Sequence, residues 1–380
     1  MIQNYHTNPH NTTLHKMIDT SDIIQEPQTD EALLLELIER YRIKAASEYA
    51  EKEYLLERDG VGFSPRGNVM ALSAEKKAGK TWFAMAMAAA LLSGNYMGMV
   101  SRCTDSKVLF FDTEQDESDG QRIQKRVHFA CGWDFNIDND KFQIFHLREI
   151  NQAERRDFVC KAIEFLKPDF VIVDGIRDLL SDFNDLEQSA AVIQDFMRLS
   201  SENKCAIWAV LHVNPNSEKM RGHLGTELGN KVADIIHMTK TKNPNNEDDV
   251  TYKAEEVAAR SHKDIHSIVF RIDDSKPYGA PVLLSGEEVE QVEESEKDAL
   301  RDVLKRNIPN GLSVSTTKLQ KLLKDGEKIG STKAYNMIQR AAKIGVLEKA
   351  DNGKWILTDR KIPVTNDIPF ESQDEKDAPF

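Results

Sequence analysis

A short segment between two apolar runs carries the residue types that bind phosphate groups. Residues 74–81 read Ala-Glu-Lys-Lys-Ala-Gly-Lys-Thr. Loop N–H groups followed by a helix N-terminus form a pocket for phosphate oxygens. In a P-loop of this kind the lysine, here Lys80, reaches the β- and γ-phosphates, and the Thr81 hydroxyl holds Mg²⁺. This chain has Ala74 where the first glycine usually stands. We therefore expect ATP and Mg²⁺ as cofactors, bound by Ala74, Glu75, Lys76, Lys77, Ala78, Gly79, Lys80, Thr81 and Trp82.

Two strands that end in acidic residues follow this loop. Phe170–Asp174 is four apolar residues and an acid, and an acid at the carboxyl end of a buried strand faces the ligand crevice of an α/β sheet. We expect Asp174 to hold Mg²⁺ with Thr81, directly or through water. The earlier strand ends Asp-Thr-Glu, which places Glu114 as the residue that activates the attacking water, with Asp112 as the competing candidate.

The elements that must position these residues alternate between strand and helix from residue 61 to about residue 284. This alternation predicts an α/β fold with a mostly parallel sheet covered on both faces. Later segments, 234–239, 251–257 and 266–272, are short strand candidates at an antiparallel edge. The strand candidates are 69–73, 107–112, 142–146, 170–174 and 206–212, and the helix candidates are 81–93, 117–131, 152–166 and 186–203.

The order of these motifs resembles the RecA-like P-loop ATPase core over roughly residues 62–284. Lys-Lys-Ala-Gly-Lys-Thr-Trp-Phe-Ala, at residues 76–84, is similar to the RepA-like subgroup, which includes plasmid-encoded hexameric replicative helicases. The resemblance implies that Glu114 activates water and that His212 senses the γ-phosphate. It also implies that Arg221 follows a mobile loop, about residues 214–225, which contacts nucleic acid in the channel of a ring.

Rings of this kind complete each site with a cation from the next subunit, because a positive charge stabilises the transferring phosphoryl group. Three residues are candidates for that cation, and the sequence leaves the choice open. Lys240 and Lys242 follow the strand candidate 234–239, and Arg260 lies in an Ala-Ala-Arg-Ser-His turn.

Outside this core, the N-terminal 30 residues are polar and are expected to be mobile. Residues 31–60 are expected to form a helical arm, because Leu33, Leu34, Leu37, Ile38 and Tyr41 recur at helical spacing. The arm has two open interpretations: it packs on its own domain, or it docks on a neighbouring subunit.

The C-terminal part divides by charge. Residues 286–296 are rich in glutamate and are expected to be an acidic linker or the start of an exposed helix. Residues 297–361 carry a net charge of +8, against −21 for the rest of the chain. Helix candidates 295–307, 316–325 and 331–344, then two strands around Asp351-Asn-Gly, predict a winged-helix domain, with Ser331 as an N-cap. The remaining tail, 362–380, is acidic.

The third of these helices is the candidate DNA-reading element of the winged helix. Its expected exposed face would enter a major groove, although winged helices also serve protein contacts. The candidate nucleic-acid contacts on this face are Lys333, Asn336, Gln339, Arg340 and Lys343.

Net charge, cysteine pattern and the length of apolar runs limit the classes of protein to which this chain can belong. The net charge is −13, which excludes a uniformly basic nucleic-acid coat but leaves room for a local basic patch. Four scattered cysteines, with no Cys-x-x-Cys pair, are expected to be reduced thiols of a cytoplasmic protein. No apolar run reaches the length of a membrane span.

The sequence therefore predicts a cytoplasmic, Mg²⁺-dependent ATPase that forms a homo-oligomeric ring, by resemblance a hexamer, and acts on DNA. By resemblance its role is that of a helicase in plasmid or mobile-element replication, with single-stranded DNA in the channel and duplex DNA at the winged helix. Two alternatives stay open: an ATP-switched DNA-binding regulator, and a recombination or repair ATPase.

Overall fold

The computed structural model describes residues 30–214, 220–243, 246–308 and 313–358. The chain divides into two compact units between Glu51 and Lys52. The expected mobile segment before Asp30 and the acidic tail lie outside the described residues.

Among the described residues of the first unit, 30–51, one helix, α1, spans Asp30–Tyr41. No side chain of α1 is buried within this unit, and its leucines are exposed. The predicted helical arm is wrong beyond this point, because Tyr54–Arg58 forms strand β1. Asp59 and Gly60 have φ values of 49° and 82°, so they form the tight turn that pairs β1 with strand β2, Val61–Pro65.

A small antiparallel sheet and a large mixed sheet make up the framework of the second unit. The small sheet has the order β2-β1-β5-β4, with β4 at Asn95–Tyr96 and β5 at Met99–Ser101. The large sheet has the order β13-β12-β11-β10-β3-β9-β8-β6-β7. Its first strands are β3 (Val69–Ala74), β6 (Val108–Asp112), β7 (Phe142–His146), β8 (Phe170–Asp174) and β9 (Ala206–His212). These five strands run parallel, as predicted.

Helices cover both faces of the large sheet, because its central strands are apolar on both sides. One buried cluster includes the apolar face of α2 and residues of the small sheet, and the other includes apolar residues of α4, α5 and α6. The helices are α2 (Lys80–Ser93), α3 (Glu117–Cys131), α4 (Gln152–Leu166), α5 (Leu186–Asn203) and α6 (Gly222–Lys231). The first four agree with the predicted helices, and α6 was not predicted.

The edge of the large sheet is longer than expected. Strand β10, Asp234–Asn243, pairs in parallel with β3, and an antiparallel partner, β11, spans Asn246–Ala259. Strands β12, Ile268–Asp273, and β13, Ala280–Leu283, complete the antiparallel edge. β10 and β11 form a long antiparallel hairpin. We call the end where Asp234 of β10 pairs with Ala259 of β11 the base of this hairpin.

The C-terminal block has its own apolar core, built around Leu304, Leu319, Ile338 and Trp355. It contains α7 (Gly286–Asn307), α8 (Thr316–Gly326) and α9 (Ser331–Lys343), then strands β14 (Leu347–Lys349) and β15 (Trp355–Leu357). These elements occur in the predicted order, while the winged-helix assignment itself stays a prediction.

The structure decides one open prediction for this block and corrects another. Of the two interpretations of residues 286–296, the start of a helix is confirmed and the linker is wrong, because a capping box between Ser285 and Glu288 starts α7 there. Gly330, not Ser331, is the N-cap of α9, and no side chain caps that end.

The four cysteines are free thiols, three partly buried and one, Cys205, buried. Burial raises the pKa of Cys131 and Cys205 to about 12 and that of Cys160 to about 11, so these thiols stay protonated. Among the described residues, every helix is too short or too polar to cross a membrane.

Candidate nucleotide-binding site

The phosphate-type loop connects the end of β3 to the start of α2. Ala74 is the last residue of β3 and is fully buried in extended backbone, so this position tolerates a Cβ. Gly79 precedes α2 with a φ of 88°, in the left-handed region that glycine adopts at no steric cost. A Cβ on Gly79 would also lie 2.6 Å from Cδ1 of Tyr252. Two separate constraints therefore require glycine at Gly79.

Lys80 is the first residue of α2 and is buried against His212. Its Nζ lies 2.9 Å from Nδ1 of His212 and 3.4 Å from the carbonyl oxygen of Glu75. Nε2 of His212 in turn lies 3.4 Å from Oε1 of Glu114. Burial lowers the pKa of Lys80. The structure thus brings together the predicted phosphate lysine, the predicted sensor and the predicted base.

Thr81 and Asp174 meet at the carboxyl end of the parallel strands. The Thr81 hydroxyl donates to Oδ2 of Asp174 at 2.6 Å. Burial raises the pKa of Asp174 to about 6, although the hydrogen bond from Thr81 opposes this shift. A hydroxyl and a carboxylate are hard oxygen ligands of the kind that Mg²⁺ takes beside nucleotide phosphates. The residues present therefore fit the predicted Mg²⁺ site.

The structure separates the two candidate bases. Oδ1 of Asp112 accepts hydrogen bonds from the backbone N–H groups of Glu114 and Gln115, both at 3.0 Å. Asp112 is buried, whereas the Glu114 side chain is 48% exposed and borders the cavity. The hydrogen bond from His212 is the main cause of a lowered pKa for Glu114, so this carboxylate is ionised. This geometry favours Glu114 over Asp112 as the base.

One cavity of about 440 Å³ is lined by Lys80, Thr81, Glu114, Asp174 and His212. Residues that the sequence did not indicate also line it, including Gln115, Arg126 and Tyr252. The Arg126 guanidinium lies 3.9 Å from the centre of the Trp82 ring, and Tyr252 stacks on Phe270 at 5.3 Å. Tyr252 and Arg126 come from elements with no motif, so only the fold brings them to the site. Of the predicted loop residues, 77–82 line the cavity.

The three cation candidates lie in different places. Lys240, on β10, lines the nucleotide cavity of its own chain, and its Nζ lies 5.6 Å from the centre of the Tyr252 ring. Lys242 lies further along β10 and lines a second cavity, beside α7 and α9. The Arg260 guanidinium donates to the carbonyl oxygen of Asn230. A cation supplied by a neighbouring subunit stays a prediction.

The predicted channel loop is partly replaced by helix. Residues 214–225 were expected to form a loop, but α6 begins at Gly222, and residues 215–219 lie outside the described residues. The Arg221 N–H donates to the His212 carbonyl at 3.1 Å, and its guanidinium lies 5.2 Å from the centre of the Phe183 ring. Arg221 is therefore joined directly to the residue expected to sense the γ-phosphate.

The expected DNA-reading face of α9 is only partly exposed. Arg340 is half-buried and forms a two-pronged ion pair with Glu296 of α7, at 2.7 and 2.6 Å. Nζ of Lys343 lies 3.5 Å from Glu255 of β11. Lys333, Asn336 and Gln339 are exposed, and the first two border the second cavity. The prediction that all five residues lie on an open face is therefore wrong for Arg340.

Residues 43–218 match the sequence model of a family described as the AAA domain. The match covers the phosphate-type loop, both acid-ended strands and the strand that ends in His212. No curated protein shows significant sequence similarity to the chain. Residues 43–218 thus resemble a P-loop ATPase-type AAA domain, of a kind found in RecA-like and helicase families, and this resemblance supports nucleotide binding and ATP hydrolysis.

Proposed function

We propose that the protein hydrolyses ATP at the cavity between β3, β8 and α2, and that it does so as a ring-forming, RepA-like helicase acting on DNA. The observation that supports the ATPase is the convergence of Lys80, Thr81, Asp174, Glu114 and His212 on one cavity. The sequence brings them from four separate segments, and the carboxyl edge of the parallel sheet collects them.

The side chains have distinct roles in the proposed reaction. Loop N–H groups and Lys80 bind the phosphates, and Thr81 and Asp174 would hold Mg²⁺, which supplies charge neutralisation at the phosphates when bound. Glu114 accepts a proton from the attacking water, because it is ionised and borders the cavity. His212 contacts both Lys80 and Glu114, so it is placed to respond to the γ-phosphate.

The DNA part of the proposal depends on the motif resemblance and on charge. Arg221 and the segment before α6 follow the sensor strand directly, and the Arg221 N–H donates to His212. Movement at the γ-phosphate would therefore reach the segment expected to face a ring channel. The basic C-terminal block would bind duplex phosphates, because its net charge is opposite to that of the remaining chain.

ATPase turnover with and without single-stranded DNA, combined with strand displacement on the same sample, tests this proposal. We expect single-stranded DNA to raise turnover, and we expect ATP-dependent displacement of a paired strand. Lys80→Ala should abolish both, since it removes the charge that contacts the phosphates. Unchanged turnover in Lys80→Ala would refute the assignment of the site.

A second candidate function is an ATP-switched DNA-binding regulator. The docking of Arg340 and Lys343 on α7 and β11 favours it, because nucleotide could control how much of α9 is exposed. Slow turnover that single-stranded DNA does not change, together with preference for a duplex site, would support the regulator over the helicase.

A further inference from the structure

A buried group of one imidazole and two carboxylates lies at the base of the β10–β11 hairpin. Asp234 is the first residue of β10, Glu256 lies in β11, and His262 follows β11 in the next turn. The Asp234 and Glu256 side chains are 0% exposed and the His262 side chain is 6% exposed. None of the three belongs to the nucleotide cavity.

One polar atom of each side chain is held by the backbone. Oδ2 of Asp234 accepts from the Ser64 N–H at 3.2 Å, and Oε2 of Glu256 accepts from the Ile265 N–H at 2.9 Å. Nδ1 of His262 lies 2.8 Å from the carbonyl oxygen of Lys263, to which its N–H donates. That bond leaves the lone pair on Nε2, as in histidines that bind metals.

Among the described residues, the other polar atom of each side chain has no hydrogen-bond partner outside this group. These atoms are Oδ1 of Asp234, Oε1 of Glu256 and Nε2 of His262, and all three lie within 4.8 Å of one another. Nε2 lies 3.1 Å from Oδ1 and 3.6 Å from Oε1. Ligands at zinc-like bond lengths of about 2.0–2.2 Å are separated from one another by roughly 3–3.5 Å.

We propose that Asp234, Glu256 and His262 bind a divalent transition-metal cation, of which Zn²⁺ is the representative probe. One nitrogen and two carboxylate oxygens suit Zn²⁺ better than Mg²⁺, which prefers an all-oxygen shell with several waters. The cation balances two carboxylate charges that are otherwise expensive to bury.

We assign the cation a structural role, because the side chains of all three ligands are buried. The cation ties the base of the hairpin to the small sheet and to the turn that carries Arg260. Other contacts act on the same turn: the Tyr54 hydroxyl donates to the Ser261 carbonyl at 2.8 Å, and the Tyr54 and His262 rings meet edge-on at 5.5 Å.

The competing occupant of the group is a proton. Burial lowers the pKa of His262, but the neighbouring Asp234 carboxylate outweighs burial and raises it to about 9. Burial raises the pKa of Glu256 to about 7. A metal-free triad would therefore be a buried ion cluster that shares protons, and the experiment must separate a bound cation from that cluster.

To test this proposal, a chelator first removes bound metal from the full chain, and the chain is then titrated with Zn²⁺ in the absence of nucleotide. Calorimetry measures the binding, and elemental analysis measures the amount of bound zinc. We expect one Zn²⁺ per chain and a higher melting temperature when Zn²⁺ is restored. His262→Gln should weaken this binding by more than about tenfold, since it removes the nitrogen ligand. Glu256→Gln should weaken it as well, which covers the case in which one variant fails to fold.

Two controls locate the site. His266 lies four residues after His262 and is exposed, and it pairs with Asp59. The variant His266→Ala should therefore bind Zn²⁺ as the unmodified chain does. Asp174→Asn should also retain the zinc, because it alters only the nucleotide site. A chain that binds no Zn²⁺ and shows no change in melting temperature would leave the proton-sharing cluster as the correct description. Zinc that persists in both His262→Gln and Glu256→Gln would place the ion elsewhere and overturn the proposal.

Discussion

Gly79 shows how one position can be constrained twice. Its backbone lies in the left-handed region, which costs a non-glycine residue about 1–2 kcal/mol, and Tyr252 fills the space that a Cβ would take. We expect Gly79→Ala to weaken nucleotide binding by roughly 5- to 30-fold, measured by titration with a fluorescent ATP analogue.

The double variant Gly79→Ala, Tyr252→Ala separates the two constraints. It should recover only the steric part of the loss, since the backbone strain remains. Full recovery would show that the left-handed conformation does not matter for the loop, and Tyr252→Ala alone serves as the control.

Glu114 and Asp112 lie two residues apart but differ in environment. Glu114→Gln should lower turnover by about 10²–10⁴-fold while ATP stays bound, because only proton acceptance is lost. Asp112→Ala should instead lower the melting temperature, because it removes the Oδ1 that accepts from the backbone N–H groups of Glu114 and Gln115. Measuring single-turnover hydrolysis and thermal unfolding for both variants checks this division. Persistent turnover in Glu114→Gln would mean that another group is the base.

At the scale of elements, periodicity and motif order predict the parallel strands and their helices to within a residue or two. Strands β6 and β8 are apolar up to the acid that ends each of them, so their position and direction are encoded locally. The hairpin β1–β2 is not predicted from the sequence, although Asp59-Gly60 is a strong turn signal. The helical spacing of the leucines in α1 does not continue as far as residue 60, where the predicted helical arm ends. The site residues Tyr252 and Arg126 could not be predicted, since only sheet pairing and helix packing bring them near Gly79 and Trp82.

Ser64 forms one of the contacts that join the small sheet to the large sheet. Ser64 in β2 is buried, and its Oγ accepts from Nε1 of Trp208 in β9 at 2.9 Å. Ser64→Ala leaves that indole N–H buried without a partner, which should destabilise the protein by about 1–3 kcal/mol. Denaturant unfolding measures this change, with the exposed Ser118→Ala as a comparison that should have a much smaller effect. Equal stability of both variants would show that water replaces the serine.

At the scale of the whole molecule, the basic block and the acidic remainder meet at α9. Arg340 is neutralised by Glu296, so part of the charge expected to meet DNA is already satisfied within the chain. Glu296→Gln should free Arg340 and tighten binding to duplex DNA, with an affinity that falls as salt rises.

Glu294→Gln is the matched control for this change. It removes the same charge from the same helix, but Glu294 pairs with Lys297, not with α9. Fluorescence anisotropy with a labelled duplex compares the two variants. If both tighten binding equally, the effect is one of net charge and the Arg340 pair does not restrict DNA access.

The contact between Lys80 and His212 has a consequence for how nucleotide affinity is interpreted. Lys80 has an internal partner in His212, and His212 links it to the carboxylate of Glu114. A phosphate that took the place of His212 on Lys80 would lose part of its interaction energy to the reorganisation of the site. A measured dissociation constant would then understate the strength of the phosphate contacts themselves. His212 and Glu114 are also the groups to which the proposed reaction assigns γ-phosphate sensing and proton acceptance.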